Sequence, residues 1–259
     1  MKNLSLFFVI FSLCLTVTFA QGPDWQISKS THFVIHYKNA PETFIKELTD
    51  KAEEYYNKIA EDLGFMRYNF WLWDNRAKIY IYDDEKDYRI STGEPGWSAG
   101  SSEMASKTIQ TFPYATGFFE TTLPHEMGHI IFREFVGFDN PAVPNWLDEG
   151  VASCQQRSKQ GPGERLVIKE AISKNKFMNL EDLSRMDLRL SQDAESVSLY
   201  YAEASSIVDY LIKEFGRDSF VLFCQNLRDK KNLERALASS YPFSNLKNLD
   251  EAWQKYLNK

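Results

Sequence analysis

The stretch "TTLPHEMGHIIFREF", Thr121–Phe135, decides how the rest of the chain is read. It carries two of the four histidines, His125 and His129, four residues apart, with Glu126 directly after the first. The pattern predicts a helix over 122–136. Thr121 or Thr122 can cap it, Pro124 is tolerated in its first turn, and Gly137 stands just past its end. At about 3.6 residues per turn, side chains four apart lie nearly one above the other. Both imidazoles can then reach one point in space. Glu126 projects about 100° around the helix from His125, beside that point.

Two imidazoles and a neighbouring carboxylate are what a zinc ion needs for two ligands and a base that takes a proton from its water. The competing reading is the polar face of an ordinary surface helix. A catalytic zinc also requires a third protein ligand and an open fourth position. The segment "NPAVPNWLDEGVASCQQ" offers the next candidates. Pro141 and Pro144 set a turn, a helix opens near Trp146, and Glu149 follows His129 by twenty residues. Gly150 and Ala152 let this helix pack closely against the histidine helix. Asp148 is the rival ligand, but it points about 100° away from Glu149, so only one of the two can face the metal. Both carboxylates also suit the positive end of a helix dipole.

With 259 residues the chain is long enough to bury a sizeable core. Hydrophobic residues at 43% and charged residues at 25% mark it as globular rather than disordered. Aromatics at 15% suit either an aromatic-lined cleft or a bulky core, and the core is the commoner use. The net charge of -6 excludes nucleic acid as the main partner. Residues 1–20, "MKNLSLFFVIFSLCLTVTFA", read as a secretory signal cut after Ala20, with Thr18 and Ala20 as the small residues before the cut. Export of a chain without stable membrane insertion, secreted or periplasmic, is the expectation. The alternative is an uncleaved anchor. Cys154 and Cys224 remain, as one disulfide or as two buried thiols.

Along the chain, "THFVIHY" (31–37) alternates as a strand. Its histidines, His32 and His36, lie about 13 Å apart on one face, too far to share a metal. A helix over "PETFIKELTDKAEEYYNKIAEDLGF" ends at Gly64, and "AKIYIYDD" reads as a second strand closed by acidic residues. "STGEPGWSAG" (91–100) is turn-rich and reads as a loop, and "SKTIQTF" (106–112) as a third strand at a sheet edge. After Thr121 helical patterns dominate, at 122–136, 146–157, 165–174, 180–185, 198–214, 217–227, 231–239 and 247–257, with an exposed loop at 157–165. The expected fold is α+β. An N-terminal α/β lobe with a small mixed sheet (about 24–118) and a mostly helical C-terminal lobe (about 119–259) form one catalytic domain over 21–259, with a cleft between the lobes.

"LPHEMGHII" followed by "NWLDEGVA" resembles the gluzincin metallopeptidases, the group of thermolysin and the zinc aminopeptidases, and more closely the bacterial peptidase-MA-like domains. The resemblance implies His125, His129 and Glu149 as ligands of one Zn2+ and Glu126 as general base and proton shuttle. It extends to "YYAEASSIVDYLIKEFG" (200–216), where Tyr201, with Tyr200 as the adjacent alternative, stands at the place of a tyrosine that stabilises the oxyanion. Simple core packing is the other reading of either tyrosine. Two departures stand out. The G-x-M-E-N segment of the aminopeptidases has only a faint echo in "GSSEMASKTIQTF", which favours an endopeptidase. Thermolysin's aspartate four residues after the third ligand is Ser153 here, so the partners that orient the histidines come from elsewhere.

The resulting expectation is a monomeric, exported zinc peptidase acting on a polypeptide, with an extended substrate added to "KTIQTF" and the loop 91–103, with Trp97, lining the cleft. The alternatives are a non-catalytic binding protein and a hydrolase of another amide, such as one in cell-wall material.

Overall fold

The computed structural model describes residues 25–96, 98–156, 162–186, 188 and 193–258. The expected signal segment 1–20, Trp97 and most of the expected loop 157–165 lie outside them.

A five-stranded mixed sheet forms the N-terminal part. It is built from β1 (Gln26–Lys29), β2 (Phe33–Tyr37), β3 (Ala77–Ile81), β4 (Gly100–Glu103) and β5 (Thr108–Thr111), in the spatial order β1-β2-β3-β5-β4. β2, β3 and β5 run parallel, while β1 and β4 are antiparallel to their neighbours. Period-two alternation puts Ile35, Ile79 and Ile109 side by side on one face, all fully buried. Helix α1 (Glu42–Asp62) and helix α3 (Leu123–Val136) pack on this part of the sheet and on each other. Phe44, Leu48, Ala52, Tyr55, Tyr56 and Ile59 form the buried stripe of α1, at the spacing its sequence predicts. Burying one such aliphatic side chain contributes about 1.5–3 kcal/mol.

The C-terminal part is helical, with α4 (Asn145–Cys154), α5 (Pro162–Ser173), α6 (Leu180–Arg185), α7 (Ala194–Phe215), α8 (Arg217–Lys230), α9 (Leu233–Ser240) and α10 (Leu246–Leu257). The α+β class is as expected. Most aromatic rings are core material. Phe65 stacks on Phe135 at 4.1 Å between ring centroids, and Trp71, Trp146 and Trp253 are fully buried. Among the described residues no helix is long and apolar enough to cross a membrane. Cys154 and Cys224 are free thiols.

Four expectations need correction. "KTIQTF" is not at the sheet edge, because β5 pairs with β3 on one side and β4 on the other. A turn through Lys107, at φ 53, folds Gly100–Glu103 back onto β5 and makes β4 the edge. "GSSE" has the composition of a loop, since glycine and glutamate have low strand propensity, but pairing with β5 makes it a strand. The supposed loop also begins inside helix α2 (Glu85–Thr92), which Asp84 caps by accepting from Asp87 N–H. Finally, neither Thr121 nor Thr122 caps α3. A π-helical turn, Phe118–Thr122, opened by Gly117 at φ 72, leads straight into it, so there is no free helix end at that point.

Candidate metal centre

Helix α3 is buried along almost its whole length and presents His125 and His129 toward α4. The two helices cross where both carry small residues. A Cβ on Gly128 would stand 2.9 Å from Ala152 Cα. On the far side of α4, a Cβ on Gly150 would come within 2.4 Å of the Ala204 carbonyl oxygen of α7. No side chain fits there, so α4 is held between α3 and α7 at backbone contact. That clamp delivers Glu149 to the histidine pair.

Nε2 of His125 and Nε2 of His129 are 3.2 Å apart, and Glu149 Oε2 is 3.5 Å from each. Four-coordinate zinc with bonds of about 2.0–2.1 Å requires neighbouring ligand atoms about 3.3–3.4 Å apart. The triangle fits that face of a tetrahedron. Glu149 Oε2 is also buried with no hydrogen-bond partner and faces the two imidazoles at 3.5 Å, a place that a cation between them would fill. The donor set of two imidazoles and one carboxylate suits zinc. Among the described residues this is the one cluster of three such groups.

The electrostatics agree. Burial opposes a charged His129, yet Asp148 and Glu149 outweigh it and raise its pKa to about 10. Burial likewise opposes a charged Glu149, but His125 and His129 hold it well below the usual carboxylate range. The imidazole of His129 and the carboxylate of Glu149 thus stabilise each other's charged forms.

Asp148 is not a ligand. Its Oδ1 lies 3.1 Å from Nδ1 of His129, the nitrogen turned away from the cluster, and Arg133 Nε donates to its Oδ2 at 2.8 Å. Burial would raise the Asp148 pKa, and His129 and Arg133 together lower it. Gln156 stands beside the other histidine, with its side-chain amide nitrogen 2.8 Å from Nδ1 of His125. Ser153, which occupies the place of thermolysin's aspartate in the sequence resemblance, is fully buried with an unpartnered hydroxyl. It touches neither histidine through a hydrogen bond.

Glu126 faces the sheet, where the Ser102 hydroxyl of β4 donates to its Oε2. The ring of Tyr201 on α7 lies 6.4 Å from that of His125. Burial, then Glu149 and Glu126, push its phenol up to about 12. Tyr200 is fully buried beside it, its hydroxyl without a partner. His32 and His36 stand apart from the cluster. His32 pairs with Glu53 at 2.6 Å, and His36 stacks on Tyr80.

Sequence reasoning missed Ser102, Arg133 and Gln156. Arg133 lies one helical turn past His129 and was legible in principle. Ser102 and Gln156 reach the site from 24 and 31 residues away, with no periodicity to announce them.

Residues 71–259 match the family described as Peptidase MA superfamily, which is well over half of the chain. No curated protein matches it. Two solved structures are similar in shape. One is an M1 zinc metallopeptidase E323A mutant from Deinococcus radiodurans, at 12% identity and TM-score 0.49, with 90% of this chain and 52% of that one covered. The other is a two-domain M1 zinc metallopeptidase E323A mutant bound to L-arginine, at 11% identity and TM-score 0.48, with the same coverage of 90% and 52%. The chain thus spans about half the length of either. On the match over residues 71–259, the chain belongs to the Peptidase MA superfamily.

Proposed function

We propose that the protein is an exported zinc-dependent peptidase that hydrolyses peptide bonds inside a polypeptide, with His125, His129 and Glu149 as metal ligands and Glu126 as general base. The observation that carries this reading is the triangle of donor atoms at 3.2, 3.5 and 3.5 Å, with Glu126 next to one of its corners in the sequence. A purely structural site has no need of that glutamate.

His125, His129 and Glu149 would hold the zinc ion, which would supply Lewis acidity for the scissile carbonyl and for a water molecule near neutral pH. Glu126 accepts the proton that water gives up and passes it to the leaving amine. Ser102 restrains Glu126 through its Oε2. The Tyr201 phenol donates a hydrogen bond to the developing oxyanion, and its raised pKa keeps the proton on the phenol oxygen at neutral pH. The free side of β4 takes an extended peptide by strand addition. Because Ser102 sits on that strand, a peptide hydrogen-bonded along it passes the base. Export rests on residues 1–20, and a monomer of one catalytic domain is the simplest form consistent with the sequence.

The test is metal analysis and cleavage of a peptide library by the wild type and Glu126→Gln, with and without chelator. The wild type should hold one zinc and lose activity with chelator. Glu126→Gln should keep the zinc and lose at least about a hundredfold in rate. Full-rate hydrolysis by the zinc-loaded Gln variant would remove Glu126 from the mechanism, and a wild type that takes up no zinc would remove the mechanism altogether.

A further inference from the structure

His125 offers Nε2 to the ligand triangle, so its other nitrogen, Nδ1, has to be accounted for. An imidazole that gives the Nε2 lone pair to a metal carries its proton on Nδ1 and needs an acceptor there. His129 has one in Asp148. For His125 the neighbour is Gln156, only 7% exposed, and it is the amide nitrogen that faces Nδ1, at 2.8 Å. Two N–H donors would then point at each other. Meanwhile Gln156 Oε1 is buried with no partner. Turning the amide by 180° exchanges its oxygen and nitrogen within the same space. The turn puts the orphaned oxygen on the Nδ1 proton and removes the opposition of two donors.

We infer that Gln156 is a positioning residue for the metal, its Oε1 accepting the Nδ1 proton of His125 and so aiming Nε2 at the ligand triangle. The inference rests on the metal site proposed above. The two histidines are thereby held by unlike partners. His129 has a carboxylate neutralised by Arg133 at 2.8 Å, and His125 has a neutral amide. The amide fixes the tautomer and the ring plane without adding another carboxylate beside Glu149. Gln156 follows the C-cap residue Gln155 of α4, seven residues past Glu149, so the segment that supplies the third ligand also leads into the support for the first.

The experiment is a zinc titration against a chromogenic chelator with the purified chain, Gln156→Leu and Gln156→Glu. Leucine keeps the bulk and removes the acceptor, and glutamate is an acceptor at both oxygens. Gln156→Leu should bind zinc about 10- to 100-fold more weakly. Gln156→Glu should return to within a few-fold of the wild type or bind more tightly. A wild type that binds zinc together with a Leu variant of equal affinity overturns the inference and leaves the metal site standing. A wild type without zinc affinity overturns the site itself. Should Gln156→Leu not fold, nitrogen NMR of the zinc-loaded wild type decides. A slowly exchanging proton on Nδ1 of His125 with the metal on Nε2 supports the inference, and a metal on Nδ1 overturns it.

Discussion

Asp148 Oδ1 lies 3.1 Å from Nδ1 of His129, on the side of the ring that faces away from the ligand cluster. Neighbouring residues of one helix thus hold opposite nitrogens of one imidazole, Asp148 from behind and Glu149 from the front. Asp148→Ala should lower zinc affinity about 10- to 100-fold, because the ring loses the partner that fixes its tautomer. The same change leaves the Arg133 guanidinium, which is largely buried, without its carboxylate. A loss of about 3 kcal/mol in folding stability should accompany it. Asp148→Asn keeps an acceptor and should fall between the two in both respects. Chelator competition and urea unfolding measure these quantities. An alanine variant with unchanged zinc affinity would assign Asp148 to the fold alone.

Gly150 is the tightest point of the clamp on α4. A methyl group at this position meets the Ala204 carbonyl oxygen at 2.4 Å, and backbone cannot swing aside as a side-chain tip would. Gly150→Ala should therefore cost about 1–3 kcal/mol as α4 and α7 separate. Glu149 precedes it, so zinc affinity should drop as well. Thermal unfolding with chelator present separates the two effects, and a variant as stable as the wild type would mean that the helices part at no cost.

The two tyrosines of α7 make a paired test. On the proposed mechanism, in which the Tyr201 hydroxyl is engaged only when negative charge develops, Tyr201→Phe should lower kcat by about 10²–10³ with KM little changed. Tyr200→Phe removes a buried hydroxyl that has no partner, and should leave both activity and stability unchanged or slightly improved. Equal effects of the two substitutions on kcat would argue for packing rather than chemistry.

Glu203 gives the chain a pH-dependent stability unrelated to the metal centre. Its carboxyl group is fully buried, accepts only from Met178 N–H at 3.0 Å, and leaves Oε2 unpartnered. Burial raises its pKa to about 8, with Asp250 adding to the rise and the Met178 bond opposing it. The folded protein thus keeps a proton that the unfolded chain releases near the ordinary value of 4.5. This contribution is fully present below that value and is lost as pH rises through about 8. Glu203→Gln retains the acceptor for Met178 and removes the ionisation. Urea unfolding should show a shallower fall in stability from pH 5 to pH 8.5, and a gain on the order of 2–4 kcal/mol at the upper end. Parallel pH curves for the two proteins would show that Glu203 ionises freely in the fold.

How much of this was legible depended on distance along the chain. The helix bearing His125 and His129 could be read because its geometry repeats every 3.6 residues and needs no other segment. The helix of Glu149 was announced by prolines before it and small residues within it, though its docking on α7 through Gly150 was not. The edge strand was misplaced for the opposite reason. Strand order is a matter of pairing between segments, and "GSSE" has no propensity that marks it as a strand at all. The sequence offered Asp148 as a rival to Glu149 and the resemblance favoured Glu149; in the fold Glu149 joins the histidine cluster and Asp148 stands behind His129.

What belongs to the one-dimensional chain, then, is a histidine pair able to meet at one point, an adjoining glutamate and a carboxylate twenty residues on as a candidate third partner, because these follow from side-chain chemistry and helical repeat. What belongs to the folded molecule is the triangle of 3.2–3.5 Å, the partners Asp148 and Gln156 behind the two imidazoles, and Ser102 on the edge strand beside Glu126. Apart from the His125–His129 edge, each of those contacts joins residues 19 or more apart in the chain. Only close packing of α3, α4, α7 and the sheet brings them within hydrogen-bonding range, and no local periodicity carries that information.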